Sequence, residues 1–179
     1  RDGIATYLEI ILGLPAETYD SYANGIATAI ENGQHNRIQF NNLSILPNAE
    51  MGDPAYQAKY GLVTVETKTI NVHGSLAESN EEIYETQELV IATTAMPEQA
   101  WVRTRVFSWM TNLIHFDKVL QIPLVLVHEA GSISYRELIE IFSADALESF
   151  PVLAEVRSFF DGLAEEIQRG GSEYVRSEE

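Results

Sequence analysis

The chain has 179 residues, 45% of them hydrophobic, which is enough to bury one core with an appendage, and its acidic excess gives a formal net charge of −16. Such a field repels phosphate backbones and anionic lipid, which argues against nucleic acid and membrane surfaces as partners, and no apolar run approaches the ~20 residues of a membrane span. The absence of cysteine excludes disulfides, zinc-thiolate sites and cysteine nucleophiles, and fits a reducing compartment such as the cytoplasm.

Residues 1–5 read as a connector, and with Arg1 at the first position and no signal peptide the chain reads as a piece of something longer. Thr6 to Leu12 is a near-continuous apolar run that suits a parallel strand covered on both faces. Gly13-Leu14-Pro15 then turns the chain: Gly13 lets the backbone approach whatever lies above the strand end, and Pro15 removes an amide donor. Corners of this kind hold ligands in α/β proteins, and they are also common as plain structure. Thr18 to Asn32 predicts an amphipathic helix with Tyr19, Tyr22, Ile26 and Ile30 on one stripe and Gly33 past its end. Arg37 to about Leu43 predicts a second strand, parallel to the first through a right-handed crossover.

Asn48 to Gly52 is a turn, and Asp53 caps a short helix begun by Pro54 and closed by Gly61. Leu62 to Val72 reads as extended, Ala77 to Glu88 as a solvated loop or frayed helix, and Leu89 to Thr94 as a further strand. Pro97 to Leu120 carries the strongest helical pattern, with Val102, Val106, Trp109, Leu113, Phe116 and Leu120 on one stripe and Phe107, Met110 and Ile114 on a second. Ile122 to Val127 continues it after a kink at Pro123 or forms a short buried strand. Ser134-x-x-Glu137 is a capping box, flanked by Ile133 and Leu138 as a hydrophobic staple, for a helix through Phe142. Pro151 to Arg169 predicts the last helix, stopped by Gly170-Gly171. The expected organisation is thus an α/β part over 1–95, a mostly helical part over 96–171, and a charged, disordered tail over 172–179.

Four histidines, His35, His73, His115 and His128, show no metal-ligand spacing. His73, at the end of a predicted strand before Gly74, is the histidine to test for substrate contact, against the plainer reading of a loop histidine. Asn41 and Asn42 fall where a strand ends and either bond a ligand or satisfy loop backbone. The Glu81-Glu82 and Glu165-Glu166 pairs are adjacent in sequence and point apart on a helix, so solvated faces explain them better than an acid-base dyad. No phosphate-binding loop, dinucleotide fingerprint or Gly-x-Ser-x-Gly elbow is present.

The segment Gly13-Leu14-Pro15-Ala16-Glu17-Thr18 resembles the Gly-Leu-Pro-Gly-Glu-Thr run late in the barrel of radical S-adenosylmethionine enzymes, with Ala16 in place of the second glycine. Arg37 to Met51 resembles the next barrel strand and its Leu-Pro-Gly-Thr-type exit, with Asn48 for glycine and Ala49 for threonine. The likeness is to the subgroup that carries a cobalamin-binding domain before the barrel. It implies the carboxyl-terminal part of such an enzyme: a strand-helix-strand unit from the late part of a TIM-type barrel, then a helical cap over the substrate opening. By the same resemblance Ile11, Leu12 and Gly13 lie along the adenine of S-adenosylmethionine, and Leu43, Ile45 and Leu46 close over it, with Asn42 beside them at the strand end. A 4Fe-4S cluster needs thiolates, so cluster and cobalamin ligands are expected outside this cysteine-free chain, which would have no radical chemistry of its own. The implied partners are a small-molecule substrate, the remainder of the parent chain, and a second copy through exposed strand edges. The rival readings are a non-catalytic acidic helical interaction module and, without spacing to support it, a hydrolase using histidine and carboxylates.

Overall fold

The computed structural model describes residues 6–69, 85–144 and 149–173. In chain order these form β1 (Leu8–Leu12), α1 (Tyr19–Glu31), β2 (Ile38–Asn42), β3 (Ser44–Ile45), α2 (Pro54–Tyr60), β4 (Val63–Lys68), β5 (Thr86–Ala92), α3 (Glu98–Thr111), α4 (Gln121–Gly131), α5 (Tyr135–Ser143) and α6 (Pro151–Gln168). The class is α/β, as expected.

β1 and β2 pair in parallel, Leu8 opposite Ile38 and Leu12 opposite Asn42, with α1 as the crossover. Alternation along the strands sends Ile10, Leu12, Ile38 and Phe40 into the main core beneath α1 and α3. Thr18 starts α1 with a capping box in which Ser21, not Glu or Gln, returns the hydrogen bond. Beyond Asn42 the same strand changes partner. Leu43 accepts from Val90 N, and β3 runs antiparallel to β5, which pairs with β4 on its other side. A parallel pair therefore passes directly into a three-stranded antiparallel sheet. β5 begins at Thr86, within the stretch expected to be solvated, because the polar residues Thr86, Gln87 and Glu88 pair across to Lys68, Thr67 and Glu66 before Leu89 and Val90 enter the interior.

α3 is the central helix. Trp101, Val106, Phe107 and Met110 are buried on it, but so are Thr104, Arg105, Ser108 and Thr111. Three of those polar groups are tolerated because each hydroxyl donates back to a carbonyl four residues earlier: Thr104 to Ala100, Ser108 to Thr104 and Thr111 to Phe107. The helix ends sooner than its apolar pattern suggests. It widens into a π-turn over Asn112–Phe116, and Lys118 takes a left-handed φ of 66°. α4 then leaves at 93° to the helix before it. Pro123 is not the kink: it sits in the first turn of α4, where its missing amide has no intrahelical partner to lose. No single described helix is long and apolar enough to cross a membrane.

Candidate functional site

The corner after β1 is a tight turn built on left-handed backbone. Gly13 has φ 95° and Ala16 has φ 66°, and Glu17 N bonds Leu14 O to close the turn. Ala16 is thus an L-residue in left-handed space, where the resembling motif has glycine. Gly13 lies one residue past the last β1–β2 pair, with Val90 against it, so the two strand ends and β5 meet at this corner.

The residues singled out in the sequence divide by the pleat. Leu12, Leu43 and Ile45 bury their side chains, Leu12 in the main core and the other two in a smaller cluster with Val90, Leu14, Met51 and Leu62. What Leu12 and Leu43 present at the strand ends is main chain, and their carbonyls are taken by Leu43 N and Val90 N. Ile11 is 40% exposed and Leu46 66%. Ile11 lies with Glu9, Gln39 and Asn41 on the sheet face away from α1 and α3, where Gln39 donates to Asn41 Oδ1 at 3.2 Å. That face is open among the described residues, which corrects the expectation of a strand covered on both faces: Glu9 and Gln39 put polar groups on it, and only the Ile10 and Leu12 side is packed. His73 lies outside the described residues.

Asn42 points the other way, into the protein. It is only 8% exposed, and neither its amide nitrogen nor its amide oxygen has a hydrogen-bond partner among the described residues. Its backbone N–H donates to Glu173 Oε1 at 3.2 Å, and Glu173 pairs at 3.5 Å with Arg105, which is 3% exposed and donates to Phe40 O at 3.3 Å. Arg105 also lies over Trp109, 4.5 Å from its ring centroid. In a parallel pair alternate residues turn their backbone groups to opposite edges, and Leu43 N bonds Leu12 O, so Phe40 O and Asn42 N face the edge that β1 does not cover. Arg105 and Glu173 therefore meet that edge as a neighbouring strand does, one donor and one acceptor at successive positions. Glu173 belongs to the stretch read from sequence as a solvated tail. A lone Glu in a charged terminus carries no signal of this, although an Arg on the apolar stripe side of a buried helix is a hint that an acid must come to it.

Burial raises the pKa of Glu173, against the opposing pull of Arg105 and the Asn42 amide. Burial also raises Glu17, whose Oε2 has no hydrogen-bond partner among the described residues. Tyr22, hydrogen-bonded to Ser108 at 3.0 Å, is pushed up to about 12 by burial and feels both Arg105 and Glu17. A buried polar cluster thus lies on the helix side of the strand ends, and an open polar face lies on the other.

Three histidines gather elsewhere, at the end of the sheet where the strands begin. His35 and His115 face each other at 3.1 Å, His128 stacks on Tyr135 at 4.2 Å, and Tyr135 touches all three rings. Burial, with His35 second, lowers His115 to about 4. No three His, Cys, Asp or Glu among the described residues could hold a metal ion. A cavity of about 950 Å³ lies between α3, α5 and α6. Its charges are paired with one another: Tyr19 donates to Glu140 at 2.8 Å beneath Arg103, and Arg157 pairs with Asp161.

The chain has relatives among known proteins. No family model matches the chain. It is 34% identical over 139 residues to the cobalamin-dependent radical SAM methyltransferase TokK of Streptomyces tokunonensis, a match covering 76% of this chain and 20% of that protein. It is 33% identical over 142 residues to a 2-(S-pantetheinyl)-carbapenam-3-carboxylate methyltransferase of Streptantibioticus cattleyicolor, covering 78% of this chain and 20% of that protein. The chain spans about a fifth of the length of the curated relatives it matches.

Proposed function

This chain belongs, over the three quarters of its length that they match, with the cobalamin-dependent radical S-adenosylmethionine enzymes, and from that premise we propose that it supplies the closing strands of the barrel and one wall of the S-adenosylmethionine pocket in a methyltransferase of that type. The observation that supports the reading most is the open face of the β1–β2 pair. A parallel pair with helices on one side and Glu9, Ile11 and Gln39 bare on the other, Asn41 half-buried beside them, has the form of one section of a barrel wall, whose second face is the lumen.

The residues fit the cofactor in part. Ile11, at the exit of β1 on the bare face, offers an apolar surface for the adenine, the Gly13 corner lets backbone come close to it, and Leu46 is exposed at the exit of the next strand. Asn42 stands at the same exits, but its amide turns to the helix side, away from the bare face. Leu12, Leu43 and Ile45 serve by fixing the strand ends from behind. A chain without cysteine cannot ligate the cluster, so this chain's work is to bind, orient and exclude water. When bound in such an enzyme, S-adenosylmethionine and cobalamin supply the radical and methyl-transfer chemistry; the substrate and the helical cap over it belong to the same proposal.

The test is a full-length, anaerobically reconstituted enzyme carrying this chain. It should show cluster absorption and form 5′-deoxyadenosine from S-adenosylmethionine, and absence of both overturns the reading. Within it, Ile11→Asp should weaken S-adenosylmethionine binding at least tenfold with little change in unfolding midpoint, because Ile11 contributes little to the core.

A further inference from the structure

α4 is attached by one side only. Leu124 is its single buried residue, Gln121 Nε2 donates to His35 O at 2.7 Å, and His128 stacks on Tyr135. On the other side Val119, Ile122 and Leu126 are 60–72% exposed, with Val127 beside them, and no charged residue occurs from Val119 to His128. In a chain of net charge −16 a bare, uncharged helix face of this size is out of character with the rest of the surface.

Its position says what covers it. His35 sits between Gln34 and Asn36, which hydrogen-bond to Thr6 O at 3.3 and 3.1 Å at the entrance to β1. Thr6, the first described residue, therefore lies close in the fold to the His35 anchor of α4. In the relatives four fifths of the length lies outside the matched stretch. A second copy would bring two strongly acidic chains together, and anionic lipid is repelled in the same way.

We propose that the Ile122 and Leu126 face of α4, with Val119 just before it, is a docking surface for an apolar segment of the longer enzyme, at the end of the sheet opposite the strand exits. The inference rests on the reading that this chain works as part of such an enzyme, but not on the identity of its cofactor. Hydrogen exchange of amides 119–130 in the 179-residue chain and in the full-length enzyme tests it. Exchange at least tenfold slower in the full-length enzyme is expected. Ile122→Lys with Leu126→Lys should abolish that slowing while leaving the unfolding midpoint of the 179-residue chain unchanged within a few degrees. Equal exchange in the two proteins overturns the proposal. So does a concentration-dependent dimer of the 179-residue chain that the double variant abolishes, or flotation of the chain with phosphatidylcholine vesicles. Formation of 5′-deoxyadenosine is scored separately: activity without protection sinks the docking surface alone, and protection without activity sinks the functional reading alone.

Discussion

Ala16 shows how a single departure from a motif can be read physically. Left-handed backbone costs an L-residue about 1 kcal/mol more than glycine, and Ala16 takes it at φ 66° with nothing but the turn to hold it there. Ala16→Gly should raise the free energy of unfolding by about 1 kcal/mol, measurable in urea. His115 makes a pH-dependent prediction. Folding holds it at about 4 against an ordinary 6.5, so as pH falls through 6.5 the unfolded chain takes the proton first, and stability drains away between 6.5 and 4. The loss from pH 7 to pH 5 should be about 2 kcal/mol. Glu17 and Glu173, raised by burial, act in the opposite sense, so the quantity to measure is the difference between wild type and His115→Gln in urea midpoints at the two pH values. None of this was legible from the histidines in sequence. His35, His115 and His128 are far apart along the chain, and only the fold brings their rings around Tyr135.

At the scale of elements, what the sequence expresses best is what local chemistry alone decides. The Ser134 and Glu137 capping box and the Asp53 and Pro54 helix start form as their residues require, since both partners of each hydrogen bond lie within one turn. The parallel pairing of β1 and β2 follows from two short extended segments separated by one amphipathic helix long enough for a crossover. α3 was harder: its apolar stripes run on to Leu120, but a π-turn and the left-handed Lys118 end it earlier, and hydrophobic spacing is silent about backbone of that kind. The β2 edge was hidden altogether, because it is closed by side chains from α3 and from beyond α6. Arg105→Ala should cost about 3 kcal/mol, since it strips the partner from a buried carboxylate and uncovers Phe40 O. Glu173→Gln, which keeps an acceptor for Asn42 N, should cost less. Guanidinium unfolding of the two variants decides.

For the whole molecule the governing quantity is charge. A formal −16 on 179 residues makes the folded chain repel itself, and added salt screens that repulsion. The thermal midpoint should climb by several degrees between 10 and 300 mM NaCl, and a flat or falling profile in a calorimeter would show that specific ion pairs outweigh the mean field. The same composition pointed toward a chain without nucleic-acid partners, and the resemblance at the Gly13 corner pointed toward the family that its relatives name. Substrate choice was never within reach, because neither charge nor periodicity encodes what a loop recognises.

The Arg105 and Glu173 closure of β2 has a consequence for biosynthesis. Glu173 follows Asn42 by 131 positions, so a ribosome must translate nearly the whole helical half before the acceptor that seals the ribbon exists. Until then the nascent β2 is a sticky border to any passing strand, while afterwards, within the parallel pair, recruitment falls to the flank of β1. Chaperone dependence should therefore peak late in translation and vanish once the ribosome has released position 173.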